Sequence, residues 1–217
     1  MGVAQRRERE KAELREQILR AARGIVLKEG FEALSMRKIA QAIEYSPAAI
    51  YLHFPSREEI ARQLTREAFG ELLSYFAPVL SIKDPMKRVR AFGKAYVEFG
   101  LSRPESYRLC FMTNQDLSSE IFPHKTNGKL DPNEPGDNAL MLVAATVREL
   151  VKSGRFAPID PDMGAHLLWA SVHGVVSLHL NCPNMSQFDP RKLTDTYLDI
   201  LERGLSAGAP KSASKSK

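Results

Sequence analysis

The chain has 217 residues, 43% of them apolar, with a net charge of +5 and two cysteines, enough for one or two domains with a sizeable core. No apolar run approaches the roughly 20 residues needed to cross a bilayer. The charged stretch from Arg6 has no apolar segment of a secretory signal, and two distant cysteines, Cys110 and Cys182, read as buried, reduced thiols of a cytoplasmic protein.

The charge is unevenly placed. Residues 1–66 carry 13 Lys/Arg against 9 Asp/Glu, and residues 67–210 carry 15 against 17. A basic N-terminal portion is what a phosphate-binding module requires. Residues 1–11 are expected to form a flexible basic arm. Leu14, Ile18, Ala21, Ala22, Ile25 and Val26 then mark one face of a helix over about 14–29 that stops at Gly30. Ser35 is placed to cap a second helix carrying Met36, Ile39, Ala40 and Ile43. Glu44 and Tyr45 form a tight turn, and Ser46-Pro47 reads as an N-cap followed by proline at the first helical position. The third helix, about seven residues, is too short to stand alone in water. Ser56 and Glu59 have the spacing of a capping box, opening a fourth helix from Arg57 to about Phe76 with Ile60, Leu64, Ala68 and Leu72 as its stripe. A short helix with small residues at its start, held by neighbours, has the shape that enters a DNA major groove.

This segment resembles the DNA-binding domain of the TetR family of bacterial transcription regulators. The resemblance covers residues 12–66 and rests on Ile39-Ala40, Ser46, Ile50-Tyr51, His53-Phe54 and Ser56-Arg57-Glu58-Glu59-Ile60. Glu44 stands where the family usually has glycine, and a non-glycine residue held left-handed costs on the order of 1 kcal/mol. Arg57 replaces a commoner lysine, and Ala48-Ala49 replace a frequent glycine and threonine.

Further helices are expected over 85–102, 104–112, 137–153, 161–181 and 190–206, with prolines beside nearly every break. Residues 113–137 read as a long loop with at most a turn over 118–122, and 207–217 as a disordered tail. The helix over 161–181 is apolar most of the way round, through Leu167, Leu168, Trp169, Val172, Val175, Val176, Leu178 and Leu180. Such a helix must be covered on nearly all sides. It and the last helix, with Leu193, Tyr197, Leu198, Leu201 and Leu205, are expected to build a four-helix dimer interface. The core of a monomer is the alternative. Trp169, His173 and Gly174 also resemble the tryptophan-histidine-glycine signature of one C-terminal class in the same family, and Gly174 in mid-helix suggests a close helix approach.

The expected fold is therefore all-α: a three-helix head (12–66), joined by a long fourth helix to a helical ligand-binding and dimerisation domain (67–206). The resemblance implies a dimeric regulator, read here as a repressor of an inverted-repeat operator released by a small molecule. A DNA-binding protein whose body takes a protein partner is the alternative. The resemblance implies Arg37 as the residue that reaches a guanine edge and Ser35, Ser46, Tyr51, His53 and Arg57 on phosphates, while Pro47, Ala48, Ala49 and Leu52, small or apolar, can pack on thymine methyls. Phe99, Tyr107, Phe111, Met112, Trp169 and His173 are candidates for an apolar or aromatic effector, although each residue type also suits plain core. No cofactor, metal site or catalytic role is expected. His166 and His173 stand about 10.5 Å apart along a helix axis, and the chain has no Walker loop, nucleophile elbow, His-Glu-x-x-His or dinucleotide fingerprint.

Overall fold

A computed structural model describes residues 2–111, 130–182, 184 and 187–207. Among them there are α-helices and 3-10 turns and no strand: α1 (Val3–Glu29), α2 (Met36–Ala42), α3 (Pro47–Tyr51), α4 (Arg57–Phe76), α5 (Pro85–Ser102), α6 (Pro104–Phe111), α7 (Pro135–Lys152), α8 (Pro161–Asn181) and α9 (Pro190–Ala207). Met112, the turn expected over 118–122 and the tail from 208 onward lie outside the described residues. The chain divides into two compact units, one of Met1–Ala68 with Glu105–Gly128, the other of Phe69–Pro104 with Lys129–Lys217. The single helix α4 contributes to both.

In the first unit α2 packs against both α1 and α3. Ile18 and Ala22 of α1, Ile39 and Ala40 of α2, Ile50 of α3, and Phe54, Ile60 and Leu64 are all excluded from water. These positions fall at helical spacing on each element, which is why the short α2 and α3 can share one core with α1 and the start of α4. The stretch 3–11, expected as a loose arm, is instead the first part of α1. It has no buried residue; its i,i+4 pairs Arg6–Glu10 and Arg9–Glu13 suit a helical course in water.

In the second unit α5 and α8 lie at the centre, each packed on the other and on both α7 and α9. Their core joins Met86, Val89, Val147, Leu150, Phe156, Leu168 and Leu198. Two glycines allow the closest approaches. A Cβ on Gly164 would meet Val147 of α7 at 2.8 Å, and one on Gly93 would meet Leu198 of α9 at 3.1 Å. Gly174, the expected contact point, has no neighbouring element among the described residues within 4 Å of where a Cβ would stand. Cys110 is buried as expected, whereas Cys182 is half-exposed.

Along the α5–α9 seam, Arg90 reaches Asp199 at 2.7 Å and Glu202 at 3.1 Å, Lys94 reaches Asp195 at 2.7 Å, and Arg191 reaches Glu98 at 2.9 Å. Exposed pairs of this kind add little energy each. Their consequence is orientation: α9 is held with Leu198 inward and Ile200 outward, the latter 63% exposed.

Candidate nucleic-acid interface

The turn between α2 and α3 is closed by backbone bonds. Tyr45 N–H donates to Ala40 O at 2.9 Å and Glu44 N–H to Gln41 O at 3.4 Å, the two bonds of a Schellman cap. That cap needs a left-handed residue just past the helix end, at C′, and Glu44 supplies it with φ 59°, the one non-glycine residue at positive φ among those described. Ser35 Oγ accepts from Lys38 N–H and Ser46 Oγ from Ala49 N–H, each at 3.2 Å. Both helix starts are thereby capped, and each hydroxyl proton stays available for an acceptor beyond the protein.

The third helix is five residues long, shorter than the seven expected, with Leu52 still in helical backbone as its C-cap. Ile50 and Phe54 fix it inward; the other residues face solvent. Pro47, Ala48, Tyr51 and Leu52 are exposed and Ala49 is half-exposed. Leu52 is 82% exposed, a large apolar side chain with no packing of its own. Arg37, on α2, is exposed. Of the capping box expected at α4, Ser56 Oγ accepts from Glu59 N–H at 3.3 Å, while the Glu59 carboxylate pairs with Arg62. Arg57 is drawn partly inward: its Nε donates to Glu58 at 2.7 Å and its Nη1 reaches Leu34 O at 3.5 Å.

One residue bearing on this surface was not singled out by sequence. Arg15 Nη1 donates to His53 O at 3.2 Å, and its guanidinium lies over the Phe54 ring at 4.1 Å, a cation–π contact. It ties α1 to the end of α3. Burial first, then the charges of Lys11 and Arg15, hold the His53 imidazolium below its ordinary pKa of 6.5. His53 is therefore a neutral ring at neutral pH, set among cations. Arg15's register, three residues before Ile18 and seven before Ala22, was visible in the sequence; its contact with His53, 38 positions away, was not.

The candidate effector residues separate. Tyr107 and Phe111 belong to the first unit, with rings 5.1 Å apart. Phe99, Trp169 and His173 belong to the second. Phe99 is buried against Tyr75, edge to face at 5.7 Å. Trp169 and His173 are joined by a residue the sequence did not mark, Tyr96 of α5. Trp169 Nε1–H, a donor only, meets Tyr96 Oη at 3.2 Å, and Tyr96 Oη lies 3.0 Å from His173 Nδ1. The tyrosine can donate its proton to an unprotonated Nδ1 or accept from Nδ1–H, according to the histidine tautomer. Burial lowers the His173 pKa, which suits a neutral ring. The three form a polar chain between α5 and α8 in otherwise apolar packing.

A second surface stands out on the second unit. Met163, Leu167, Ala170, Gly174 and Leu178 recur at three- and four-residue spacing on the outward side of α8, and all are exposed or half-exposed. Met163 is 57% and Leu178 53% exposed. Ile200 and Gly204 lie outward on α9. Among the described residues no helix is long and apolar enough to cross a membrane.

Comparison with known proteins adds the following. Residues 18–64 match the family model described as bacterial regulatory proteins, tetR family, and residues 89–201 match the tetracyclin repressor-like C-terminal domain. The second match includes Trp169, His173 and Gly174. The nucleoid occlusion factor SlmA of Vibrio vulnificus is 30% identical over 199 residues, 88% of this chain and 95% of that protein. The HTH-type transcriptional regulator RutR of Escherichia coli is 24% identical over 157 residues, 71% of this chain and 69% of that protein. Among solved structures, the fatty acid degradation regulator FadR of Bacillus halodurans superposes with a TM-score of 0.69 at 18% identity, over 88% of this chain and 95% of that one.

Proposed function

The chain belongs to the TetR family of DNA-binding transcriptional regulators, and from that premise we propose that it is a cytoplasmic dimeric repressor released from its operator by a small molecule. The observation that carries the DNA-binding half is the presentation of α3. Its inward residues are fully buried, while Pro47, Ala48, Ala49 and Leu52 face outward with Ser35, Ser46, Tyr51 and His53 around them. Small and apolar outward residues suit thymine methyls. Serines at two helix starts, with free hydroxyl protons, suit phosphate oxygens. Arg37 is the long basic side chain on this face that is open to solvent and suited to bidentate readout of guanine.

The outward face of α8 and α9 supports the dimer. Its central residues are Ala170 and Gly174, so a facing helix can come close, and its flanks are Met163, Leu167, Leu178 and Ile200. Two protomers joined there give a four-helix interface, and two-fold symmetry asks for an inverted repeat with half-sites about 34–36 Å apart or a multiple of that. An effector held in the second unit near Tyr96, Trp169 and His173 need only favour the spacing that does not fit DNA; a coupling of about 1–3 kcal/mol suffices. The helix α4, unbroken from Arg57 to Phe76, is the covalent route for that coupling.

Selection of duplexes from a random library by the full-length protein tests this reading, and recovery of an inverted repeat is the expected result. On that repeat, Arg37→Ala costs about 1–3 kcal/mol and relaxes base preference at one position per half-site, whereas Arg57→Ala weakens all sequences and flattens the salt dependence. Equal losses for Arg37→Ala on every sequence would remove its assignment. One observation favours a second reading, in which the body binds a protein instead of a small molecule: a relative matching nearly the full chain is named for nucleoid occlusion. A thermal-shift screen separates the two, since compounds that both stabilise the protein and release DNA fit only the first.

A further inference from the structure

The first eleven residues of α1 are all exposed, and their charges are sorted by face. At 100° per residue, Arg7, Lys11 and Arg15 fall on one line of the helix, the same side that lower down buries Ile18 and Ala22 against the rest of the head. Glu13 and Glu16 lie on the far side with Arg6, Arg9 and Arg20, while Glu10 stands about 60° round from Arg7; the three acids neutralise those three arginines in i,i+4 pairs. Arg7 and Lys11 form no ion pair among the described residues; of the two acids beside their line, Glu10 is held by Arg6 and Glu8 remains. Like charges at i,i+4 on an exposed helix oppose one another. An anion outside the protein resolves that opposition.

The line is continuous with the DNA-facing surface. Arg15 touches the His53 carbonyl at the end of α3, and Lys11 is near enough for its charge to act on the His53 ring. Arg7 stands about 12 Å further along the axis than Arg15. We propose that Arg7 and Lys11 form a phosphate-binding ridge that carries the DNA interface past the helix-turn-helix, onto the backbone of the duplex flanking each half-site. The proposal rests on the DNA-binding function above. It assigns the ridge affinity without base preference, because a flexible cation on a phosphate reads no sequence.

The test compares two duplexes bearing the same selected inverted repeat, one extended beyond the half-sites and one cut at their edges, with affinity measured against salt concentration. For the R7A/K11A double variant of the full chain, the log–log salt slope on the extended duplex should fall by about 1 for each cation removed per half-site. On the cut duplex it should match the unaltered protein. The R6A/R9A double variant removes as much charge from the opposite face and should leave both slopes unchanged. Circular dichroism and the melting temperature verify that each variant is folded. Equal slopes for R7A/K11A and the unaltered protein on the extended duplex overturn the ridge alone, as does an equal loss for R6A/R9A. Failure of the unaltered protein to bind either duplex in a salt-dependent way overturns the DNA-binding function and the ridge with it.

Discussion

Both units leave large apolar side chains in water, yet they do so on different supports. In the first unit Tyr51 and Leu52 sit on a five-residue helix fixed by Ile50 and Phe54 and ringed by serines, Arg37 and His53. In the second, Met163, Leu167 and Leu178 run along a helix of 21 residues whose outward middle is Ala170 and Gly174. An apolar tip among hydroxyls and cations suits a surface with methyl groups and phosphates, whereas an apolar stripe with a small centre and few charges suits another helix. Chemistry around the exposed group, more than exposure itself, distinguishes a nucleic-acid face from a protein face.

The sharpest way to break this contrast is to place a charge in the stripe. Ala170→Glu puts a carboxylate where two α8 helices would meet, and an unpaired buried charge costs about 3–5 kcal/mol. Sedimentation should show the variant as a monomer with its helical circular dichroism intact. A variant that remains dimeric would place the interface elsewhere. The complementary break is at the anchor of the other face. Ile50→Ala removes a fully buried side chain from the shortest helix and should lower stability by about 2–5 kcal/mol. Chemical denaturation would report it, and DNA binding should be lost while the oligomeric state persists. Unchanged DNA affinity would show that α3 does not need its inward grip.

The two faces also differ in how far they could be read from sequence. Element positions were legible because prolines and capping residues mark them: Pro85, Pro104, Pro161 and Pro190 each open a helix, and Ser35 and Ser46 cap where expected. The turn at Glu44 was legible from its register alone. Three things were not. The N-terminal extension of α1 buries nothing, so it left no apolar period to detect. Gly164 and Gly93 are the close contacts because of what Val147 and Leu198 bring to them, which no local pattern at a glycine encodes. Tyr96 joins Trp169 and His173 across more than 70 residues of chain, and a hydrogen bond between helices has no periodicity. The outward stripe of α8 was visible only as excess apolarity; which side faced solvent followed from packing.

A smaller effect sharpens the comparison at the turn that aims α3. Glu44 holds φ 59°, so Glu44→Gly should relieve strain and stabilise the protein by about 1 kcal/mol or less, since glycine also loosens the unfolded chain. The midpoint of urea unfolding measures this. A destabilised variant would mean that the Glu44 side chain does more in the turn than tolerate it.

The smallest expected effect is a proton. His53 is held neutral in the free protein by burial and by Lys11 and Arg15, its pKa lowered from 6.5. As pH falls, the unfolded chain therefore protonates this ring before the folded one does, and the contribution of His53 to stability is lost as the solution passes below the unfolded value. Phosphate oxygens act in the opposite sense: an imidazolium beside them is favoured, so with His53 at the DNA backbone as proposed, binding takes up a proton. Affinity for a selected duplex should consequently rise on going from about pH 8 to about pH 6, by less than about tenfold. The His53→Gln variant, which keeps a donor of similar reach but cannot titrate, should lose that rise while retaining the affinity measured at the higher pH. The second unit supplies the control, because His173 is also lowered by burial but faces Tyr96 and no phosphate: His173→Gln should leave the pH profile of DNA binding unchanged. Identical profiles for His53→Gln and the unaltered protein would show that the ring does not lie on the phosphate-facing side of the head.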